Sequence, residues 1–484
     1  MSRVPGNSMV LTKILRRLRS HSIVEVTGVN EQFIDHMDIF YKRLAAISGR
    51  YVFECQSGTC LSFIELPLSD YQAVVTAPGL DVGDSSKQGK ANRYALLPPP
   101  RSDRILWCGK TQPDSDKRYG IVLGYCANTA VILDEDSLLR HVLIVGSTGS
   151  GKSHTAARIA MCSSRIGFKP IILDWHGEYE QLLERHYAGD YTVLSYPNLP
   201  RVAFTSSSIP LESSISVLER TLDLSPFQSS ILAAFLVLAT QQNAATAKGL
   251  LDVVANNIKQ DEIKELMDTL KSGNTIHELI HVISMVFNKR RESFSRAEQE
   301  IWLALLRRLN IIATSRYANI FAIRETKELL KAIRIGSYSP TIIRLDTILS
   351  LRIRKMYAAY LLQMLYTLAN TNDTRMLVVL EEAHNLLDNK VVSELIAETR
   401  KYGIGFLVVI HTPRILPELS EANFNTIIAH RITSVNDRLI IAKSLGLDDD
   451  SLLSNFEEGD ALVRRHDMKT PLIVKVEHEA PCTP

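Results

Sequence analysis

The residues best suited to chemistry form a glycine-rich loop, GSTGSGKS, which runs from Gly146 to Ser153. This phosphate loop fits the pattern G-x-x-x-x-G-K-[ST] at each fixed position. It follows an apolar run, Val142–Val145, and precedes a stretch of helix formers, 155–162. This order predicts a strand, a loop and a helix, the context in which inward-facing backbone N–H groups and the helix dipole bind phosphate. A plain Gly/Ser turn would not require the lysine and the serine at these positions.

Individual side chains of the phosphate loop have distinct expected roles. Lys152 would reach the β- and γ-phosphates of a nucleoside triphosphate, and the Ser153 hydroxyl would be a ligand of Mg²⁺. We therefore expect ATP and Mg²⁺ as cofactors. The residues expected to contact the nucleotide within this stretch are Ser147, Thr148, Gly149, Ser150, Gly151, Lys152, Ser153 and His154.

A pair of acidic residues gives the second expected part of the site. Four apolar residues, Leu377–Leu380, predict a buried strand, and Glu381 and Glu382 follow it directly. Ligands gather at the carboxyl ends of strands in open α/β sheets, so these carboxylates are expected at the edge of the sheet where the phosphate loop lies. Glu381 would hold Mg²⁺, directly or through water, and Glu382 would act as general base on the attacking water.

Two other strand ends carry polar residues that could face the same nucleotide. The segment Pro170–Trp175 predicts a strand, and Asp174, His176 and Glu178 at its end are candidates for placing water or Mg²⁺. A polar β–α turn is the alternative. The segment GFLVVI predicts a strand that ends at His411, which could sense the γ-phosphate or could be a histidine at the edge of the core.

The composition is that of a globular protein. The 484 residues are enough for two or three domains, and 45% are hydrophobic and 22% charged. The formal net charge of +2 does not by itself indicate a nucleic-acid partner, so any basic surface must be local. The sequence shows no secretory signal and no apolar run long enough to span a bilayer, so we expect a cytoplasmic protein without membrane contact.

The cysteines are scattered along the chain. They include one closely spaced pair and no second pair at metal-site spacing, so we expect reduced and mostly buried thiols rather than a metal site. The six are Cys55, Cys60, Cys108, Cys126, Cys162 and Cys482.

The N-terminal part of the chain differs from the rest in its charge and in its pattern of short β segments. Residues 1–24 carry five Lys or Arg residues and no acid, and form either a basic arm for DNA or a partner, or a solvated terminus. From about residue 22 to 128, short β segments alternate with turn-rich stretches around one helical segment, 31–48. This pattern predicts a small barrel or sandwich for assembly or docking.

Helical patterns dominate residues 205–335, which we interpret as an insertion in the core. Ser225-Pro226-Phe227-Gln228 has the composition of a helix start. One stretch of the insertion is rich in cations and is either a surface for nucleic-acid phosphates or a set of solvated helix faces. These cations are Lys289, Arg290, Arg291, Arg296, Arg307, Arg308 and Arg316.

The remaining segments complete an α/β core. We predict a strand over Thr341–Ile348, a long helix after it, and two closing strands in DALVRR and PLIVKV. The last residues, 479–484, are expected to form a free tail.

Several motifs, taken in order, resemble those of the HerA-type ATPases, which are related to the FtsK DNA pumps. The motifs are GSTGSGKS, LDWHGEY, LEEAHNLL, AETRKYGIGFLVVIHTP, FNTIIAHRI and the terminal GDALV and PLIVKV. The resemblance covers about residues 120–478. HGEY and EEAH, with RKYG before the strand that ends at His411, are its most specific parts.

The resemblance implies a RecA-like P-loop ATPase core of the ASCE type. Its expected bounds are a basic arm at 1–24, a HAS-barrel-like β-barrel domain at 25–130, and a core at 131–484 with a helical insertion at about 205–335. Two arginines, Arg140 and Arg400, match family positions that act across the subunit boundary. For either of them a surface salt bridge is the alternative.

The resemblance also implies a function. It predicts a homohexameric ring that moves double-stranded DNA as a translocase or helicase, in the nucleoid, with a NurA-type nuclease and with Mre11 and Rad50 in DNA end resection and repair. The family usually has Gln where this chain has His411, and many relatives have Asp-Glu where it has Glu381 and Glu382. An ATPase motor of a conjugation or secretion assembly, and a regulatory ATPase that loads a nuclease, are the alternative functions.

Overall fold

The computed structural model describes most of the chain from residue 120 onward and the backbone of four strands before it. The described residues are 17–18, 21–26, 50–56, 59–67, 120–126, 129–186, 189–205, 210–240, 244–255, 258–325, 327–371, 374–387, 396, 399–411, 413, 424–447, 450–465, 467–468, 471–476 and 482. Among them, no helix is both long enough and apolar enough to cross a bilayer.

The described strands are mostly short. In chain order they are β1 Arg17–Leu18, β2 His21–Val26, β3 Arg50–Gln56, β4 Thr59–Pro67, β5 Ile121–Cys126, β6 Thr129–Leu133, β7 Val142–Val145, β8 Lys169–Asp174, β9 Thr192–Leu194, β10 Val202–Thr205, β11 Phe321–Arg324, β12 Thr341–Arg344, β13 Met376–Leu380, β14 Ile404–Ile410, β15 Thr426–Ala429, β16 Asp460–Arg464 and β17 Leu472–Val476.

The described α-helices range from one turn to six. In chain order they are α1 Glu135–Leu139, α2 Lys152–Ser163, α3 Tyr179–His186, α4 Leu211–Leu222, α5 Pro226–Thr240, α6 Ala244–Ala255, α7 Gln260–Ser272, α8 Ile276–Arg290, α9 Arg296–Ala313, α10 Glu328–Ala332, α11 Leu351–Thr371, α12 His384–Leu387 and α13 Val435–Leu445.

The chain divides into two compact units. The first comprises residues 1–162 and 409–484, and the second comprises residues 163–408. In the first unit, β7 pairs in parallel with β15, and antiparallel pairings continue from β15 through β16, β17, β5 and β6. β5 is the last of the β segments expected in the N-terminal domain, so the sheet that carries the phosphate loop includes this segment.

The second unit is built on parallel strands. β14, β13, β8, β12 and β9 pair in this order, each in parallel with the next. Every residue of β8 and β13 is buried. Such continuous apolar runs are typical of parallel strands that are covered on both faces. The predicted strands at Val142–Val145, Pro170–Trp175 and Leu377–Leu380 are therefore confirmed to within one residue at either end.

One predicted strand is shorter than expected. The expected segment Thr341–Ile348 is a strand only to Arg344, and Leu345–Thr347 forms a 3₁₀ turn. The hydroxyl of Thr347 donates to the carbonyl of Arg344 at 2.7 Å, and the Arg344 guanidinium lies 2.7 Å from the Asp346 carboxylate. These local side-chain contacts offer the backbone an alternative to the ladder of the sheet, which ends the strand early.

The predicted helical segment contains α4 to α10. At the start of α5, the Ser225 N–H donates to the Gln228 side chain at 3.0 Å, and the Gln228 N–H donates to the Ser225 hydroxyl at 3.4 Å, which confirms the predicted helix start. The sequence did not predict β11, which pairs in parallel with β10. Phe204 and Phe321 stack between these two strands with ring centroids 5.6 Å apart.

The cation-rich stretch of the insertion is largely paired. Lys289 and Arg290 both contact the Glu262 carboxylate, at 2.9 and 2.8 Å, and Arg307 contacts Glu300 at 3.2 Å. The guanidinium of Arg308 donates to the Gln228 side chain, and that of Arg316 stacks on Tyr196 and Tyr317. These pairings favour the interpretation as solvated helix faces over that of a surface for phosphates.

The N-terminal strands form a sheet of their own. β1, β2, β4 and β3 pair in this order, and every pairing is antiparallel. The remainder of the expected barrel, the helical segment at 31–48 and most of the basic arm lie outside the described residues. Closure of these strands into a barrel therefore stays a prediction.

The cysteines and the C-terminal tail differ from expectation. Cys162, at the end of α2, forms a disulfide with Cys482, and the Cys482 carbonyl accepts the N–H of Val122 in β5 at 3.0 Å. The expectation of reduced thiols was therefore wrong for this pair, and residues 479–484 do not form a wholly free tail. Sequence reasoning could not find this bond because 320 residues separate the two cysteines and only the sheet brings them together.

We expect replacement of Cys482 by Ser to lower the free energy of unfolding by about 2–5 kcal/mol, because the disulfide closes a very long loop and constrains the unfolded chain. Thermal unfolding of both proteins, each with and without a reductant, measures this effect. The reductant should destabilise the wild type and leave Cys482→Ser unchanged. Two free thiols at these positions in the non-reduced wild type, detected by mass spectrometry, would contradict the pairing.

Candidate functional site

The phosphate loop in the first unit is shaped by its glycines. It joins β7 to α2, and Gly149 and Gly151 have φ angles of 72° and 100°, which L side chains rarely adopt. A Cβ atom on Gly146 would lie 2.7 Å from the Ser150 hydroxyl and 2.9 Å from the Cβ of His430. A larger residue at Gly146 would therefore push the loop away from the strand beside it.

Lys152 is the first residue of α2, at the end of this loop, and is 4% exposed. Its Nζ donates to the Ser147 carbonyl at 2.8 Å and lies 3.0 Å from Nδ1 of His411. An ammonium group can only donate, so Nδ1 of His411 is the acceptor in this contact, and the ring proton of the neutral imidazole lies on Nε2. The Thr148 hydroxyl is 3.5 Å from the same Nδ1. The structure thus brings His411 to the phosphate loop.

A second histidine, His430, contacts both the helix that follows the loop and the strand β16. The ring is fully buried, its Nε2 lies 3.0 Å from the Thr155 hydroxyl in α2, and its Nδ1 lies 2.9 Å from the Asp460 carbonyl in β16. A carbonyl only accepts, so Nδ1 carries a proton, and in the neutral ring Nε2 accepts the Thr155 hydroxyl proton. Sequence reasoning assigned no role to this residue, since its partners Thr155 and Asp460 are distant in the chain and only the folded sheet brings them to it.

The loop is also fixed at its first turn by Thr433. The Ser147 hydroxyl accepts the N–H of Thr433 at 2.9 Å and lies 3.0 Å from the Thr433 hydroxyl, while the Ser147 N–H donates to the Arg431 carbonyl at 2.8 Å. Sequence reasoning did not identify these contacts, because they join residues that are 286 positions apart in the chain.

In the second unit, the Asp174 carboxylate closes the turn after β8. It is fully buried, one oxygen accepts the N–H groups of Gly177 and Glu178 at 2.7 and 3.2 Å, and the other accepts the N–H of Tyr179 at 3.1 Å. These contacts are those of a polar β–α turn, the alternative that the sequence left open. They also hold the end of β8 rigidly beside β13.

Glu381 contacts the same turn from β13. One of its carboxylate oxygens accepts the N–H groups of Trp175 and His176, at 3.0 and 3.3 Å. Burial, with the nearby charge of Asp174, raises the pKa of Glu381 to about 9, and burial raises the pKa of Asp174 as well. Two carboxyl groups in contact away from water share a proton, because both cannot ionise without a compensating cation.

Glu382 has an unusual backbone and two histidine neighbours. Its φ of 49° is uncommon for a residue other than glycine, and its side chain is buried. Nε2 of His176 lies 3.6 Å from one carboxylate oxygen of Glu382, and Nδ1 of His384 lies 3.0 Å from the other. Glu382 is thus the residue of the acidic pair that faces imidazoles, whereas Glu381 faces backbone N–H groups.

The two arginines expected at a subunit boundary are described to different extents. Arg140 follows α1 and forms an ion pair with Asp136 at 2.6 Å, one helical turn away. Arg400 lies in the 3₁₀ helix Thr399–Tyr402, and its side chain lies outside the described residues. Action of either arginine across a subunit boundary stays a prediction.

Comparison with known proteins identifies the family. Residues 119–365, just over half of the chain, match the family described as "Helicase HerA, central domain". The chain belongs to the HerA helicase family. This confirms the resemblance seen in the motifs, which included the loop GSTGSGKS and the segment LDWHGEY within this range.

The individual relatives share only about a quarter of the aligned residues with this chain. The "DNA double-strand break repair helicase HerA" of Sulfolobus acidocaldarius is 25% identical over 383 residues, which are 75% of this chain and 69% of that protein. The HerA protein of the same description from Saccharolobus solfataricus is 25% identical over 385 residues, with the same shares of both chains. The family relationship therefore extends beyond the central domain.

The fold has relatives among solved structures. The bacterial conjugative coupling protein TrwBdeltaN70 superposes with a TM-score of 0.50 over 76% of this chain and 91% of that one, at 13% sequence identity. At this level of identity the likeness shows a shared P-loop fold and carries no information on function.

A double-mutant cycle tests the support of the loop by His430. His430→Phe keeps a ring of similar volume but leaves the Thr155 hydroxyl and the Asp460 carbonyl unpaired, so we expect it to lower the free energy of unfolding by about 1–3 kcal/mol. Thr155→Val should cost less in the His430→Phe background than in the wild type, as measured by chemical denaturation. Strictly additive effects of the two substitutions would mean that the two side chains do not interact.

Proposed function

We propose that the chain is an ATP-hydrolysing motor that moves along double-stranded DNA. The observation that carries this proposal is the phosphate loop with the buried Lys152, which contacts Ser147 and His411, in a chain of the HerA helicase family. The ammonium group of Lys152 thus lies within the loop whose backbone N–H groups would face a phosphate, and phosphate oxygens accept strong hydrogen bonds from such a cation.

Each candidate residue has one role in this proposal. Residues 147–154 bind the phosphates through backbone N–H groups and Lys152. Glu382 accepts the proton of the attacking water, and His411 senses the γ-phosphate beside Lys152. Arg140 and Arg400 reach the site of a neighbouring subunit in a homohexamer and neutralise charge on the transferring phosphoryl group.

The donor set fits the proposed Mg²⁺. The Ser153 hydroxyl and the carboxylate of Glu381 are hard oxygen ligands, and Mg²⁺ is commonly held by one or two carboxylates together with substrate phosphates. Burial and then the nearby charge of Asp174 raise the pKa of Glu381, and a divalent ion beside this carboxyl pair would favour its ionised form. The ion would supply charge neutralisation for the triphosphate.

The DNA-related part of the proposal comes from the relatives. The archaeal proteins are described as DNA double-strand break repair helicases, and we extend this description to the present chain. A motor that moves along DNA contacts the phosphate backbone, so its grip is independent of sequence. A NurA-type nuclease and Mre11 and Rad50 are the proposed partners in end resection, and the nucleoid is the proposed location.

The competing function is an ATPase that drives a conjugation or secretion assembly, or one that only loads a nuclease. The likeness to TrwBdeltaN70 is compatible with this function, but it reports the fold alone. Stimulation by DNA separates the two possibilities, because a motor that moves protein gains nothing from free duplex DNA.

Two substitutions separate binding from turnover. Lys152→Ala should weaken ATP binding and abolish hydrolysis, because the loop loses its phosphate-binding cation. Glu382→Gln should bind ATP as the wild type does and hydrolyse it at least about 100-fold more slowly, because water loses its base. ATP binding and phosphate release measure the two steps, with the exposed residues Lys443→Ala and Glu292→Gln as controls. Hydrolysis at the normal rate in either test variant would refute the assignment of the site.

The dependence of the ATPase rate on DNA tests whether double-stranded DNA is a partner of the protein. Linear duplex DNA should stimulate ATP hydrolysis, and the stimulation should decline as salt rises from about 50 to 200 mM, since backbone contacts release counterions. The stimulation should not depend on DNA sequence. An ATPase rate that duplex DNA leaves unchanged at low salt would favour the competing functions.

A further inference from the structure

Glu382 is the candidate general base, and its direction is fixed by the turn that follows β13. Its φ of 49° places the backbone in the left-handed region, and its carbonyl accepts the N–H of Asn385 at 2.9 Å at the start of α12. This conformation is unfavourable for a glutamate, so the surroundings must stabilise it. The backbone alone leaves the carboxylate free to rotate about the side-chain bonds, so other groups must orient it.

His176 provides such a contact from the neighbouring strand. Leu380 of β13 pairs with Leu173 of β8, so the residues after the two strands emerge side by side. The N–H of His176 donates to Glu381 at 3.3 Å, and its Nε2 lies 3.6 Å from Glu382. One residue thus contacts both members of the acidic pair, with its backbone on Glu381 and its ring on Glu382.

His384 contacts the carboxylate from the opposite side. Its Nδ1 lies 3.0 Å from the Glu382 oxygen that His176 does not contact, so each carboxylate oxygen faces one imidazole. The two histidines differ in origin. His384 follows Glu382 in the same turn, whereas His176 lies in the turn after β8 and links Glu382 to the end of the neighbouring strand.

The end of β8 is itself rigid. The Asp174 carboxylate accepts the N–H groups of Gly177, Glu178 and Tyr179. The guanidinium of Arg354 stacks over the Trp175 ring at 5.2 Å and donates to the Trp175 carbonyl at 3.2 Å. His176 therefore extends from an anchored backbone, while its side chain is 52% exposed and open to the aqueous side of the site.

We propose that His176 is a positioning residue for ATP hydrolysis, one that orients the Glu382 carboxylate toward the attacking water. This inference rests on the proposed function and deepens it by adding a residue to the hydrolysis step. His176 does not touch the nucleotide in this account. It acts through Glu382, so its removal affects the chemical step and leaves ATP binding intact, because a misplacement of about 1 Å at a reacting group can cost a hundredfold in rate.

The test compares binding with turnover in His176 variants of the full chain. His176→Ala should lower kcat by about tenfold to a hundredfold while the Kd for ATP stays within about twofold of the wild type. His176→Gln, whose amide nitrogen can take the position of Nε2, should recover part of the lost rate. His277→Ala removes an exposed histidine from the same unit and serves as the control, with kcat and Kd unchanged.

A second measurement establishes whether His176 acts through Glu382. In the Glu382→Gln background, His176→Ala should lower the residual single-turnover rate by less than about twofold, because the carboxylate that it orients is already gone. A full tenfold loss in that background would overturn the proposal, since His176 would then act independently of Glu382. A wild-type kcat in His176→Ala, or a loss of ATP affinity that matches the loss of rate, would overturn it equally.

The experiments distinguish a failure of the proposed role of His176 from a failure of the proposed function. If Lys152→Ala and Glu382→Gln hydrolyse ATP normally, the proposed function fails before His176 is considered. If both are inactive and His176→Ala is normal, only the role of His176 fails. The thermal unfolding midpoint of His176→Ala should stay within a few degrees of the wild type. If the alanine variant does not fold, His176→Asn replaces it, because the shorter side chain keeps a polar group but cannot reach Glu382, and it should show the same loss of rate.

Discussion

The phosphate loop depends on the parallel pairing of β7 with β15, which continues beyond the ends of both strands. The N–H of His430 donates to the carbonyl of Val145, and the N–H of Ser147 donates to the carbonyl of Arg431, each at 2.8 Å. These two bonds hold the first residues of the loop in the ladder of the sheet. The loop can then turn back only where its glycines allow it, and Lys152 is brought against the carbonyl of Ser147.

Burial of charge is the second constraint on this chain. Lys152 in the first unit and the carboxyl pair of Asp174 and Glu381 in the second unit are almost completely buried. Removing such groups from water is costly, and backbone N–H groups around the carboxyl pair, and a carbonyl and an imidazole beside Lys152, offset part of that cost. Buried charges lower the stability of a core, and they are expected where a site must bind a charged ligand.

The match to the HerA family and the likeness to TrwBdeltaN70 support different conclusions, the first about the family and the second about the fold. The family match rests on sequence over just over half of the chain and includes the residues that form the loop. The structural likeness reports the same arrangement of strands and helices at 13% identity. Folds of this type support several functions, so the decisive features are the side chains at the strand ends.

The sequence by itself determined the local elements of the core and the phosphate loop. Buried strands such as β7 and β13 are continuous apolar runs, and the loop motif has fixed positions, so pattern and composition are enough to find them. The sequence also singled out His411 as a polar residue at the end of an apolar strand, and the structure places this residue beside Lys152. The short strand β11 was not predicted, since four residues are too few to show the periodicity of a strand.

Only the tertiary structure decided which side chains meet. The support of the loop by His430 and Thr433, the contact of His176 with Glu382 and the bond between Cys162 and Cys482 all join residues that are far apart in the chain. The pairing of strands sets these contacts, and the types and local spacing of the residues do not encode them. The raised pKa of Glu381 has the same origin, since it arises from burial and from a neighbour on another strand.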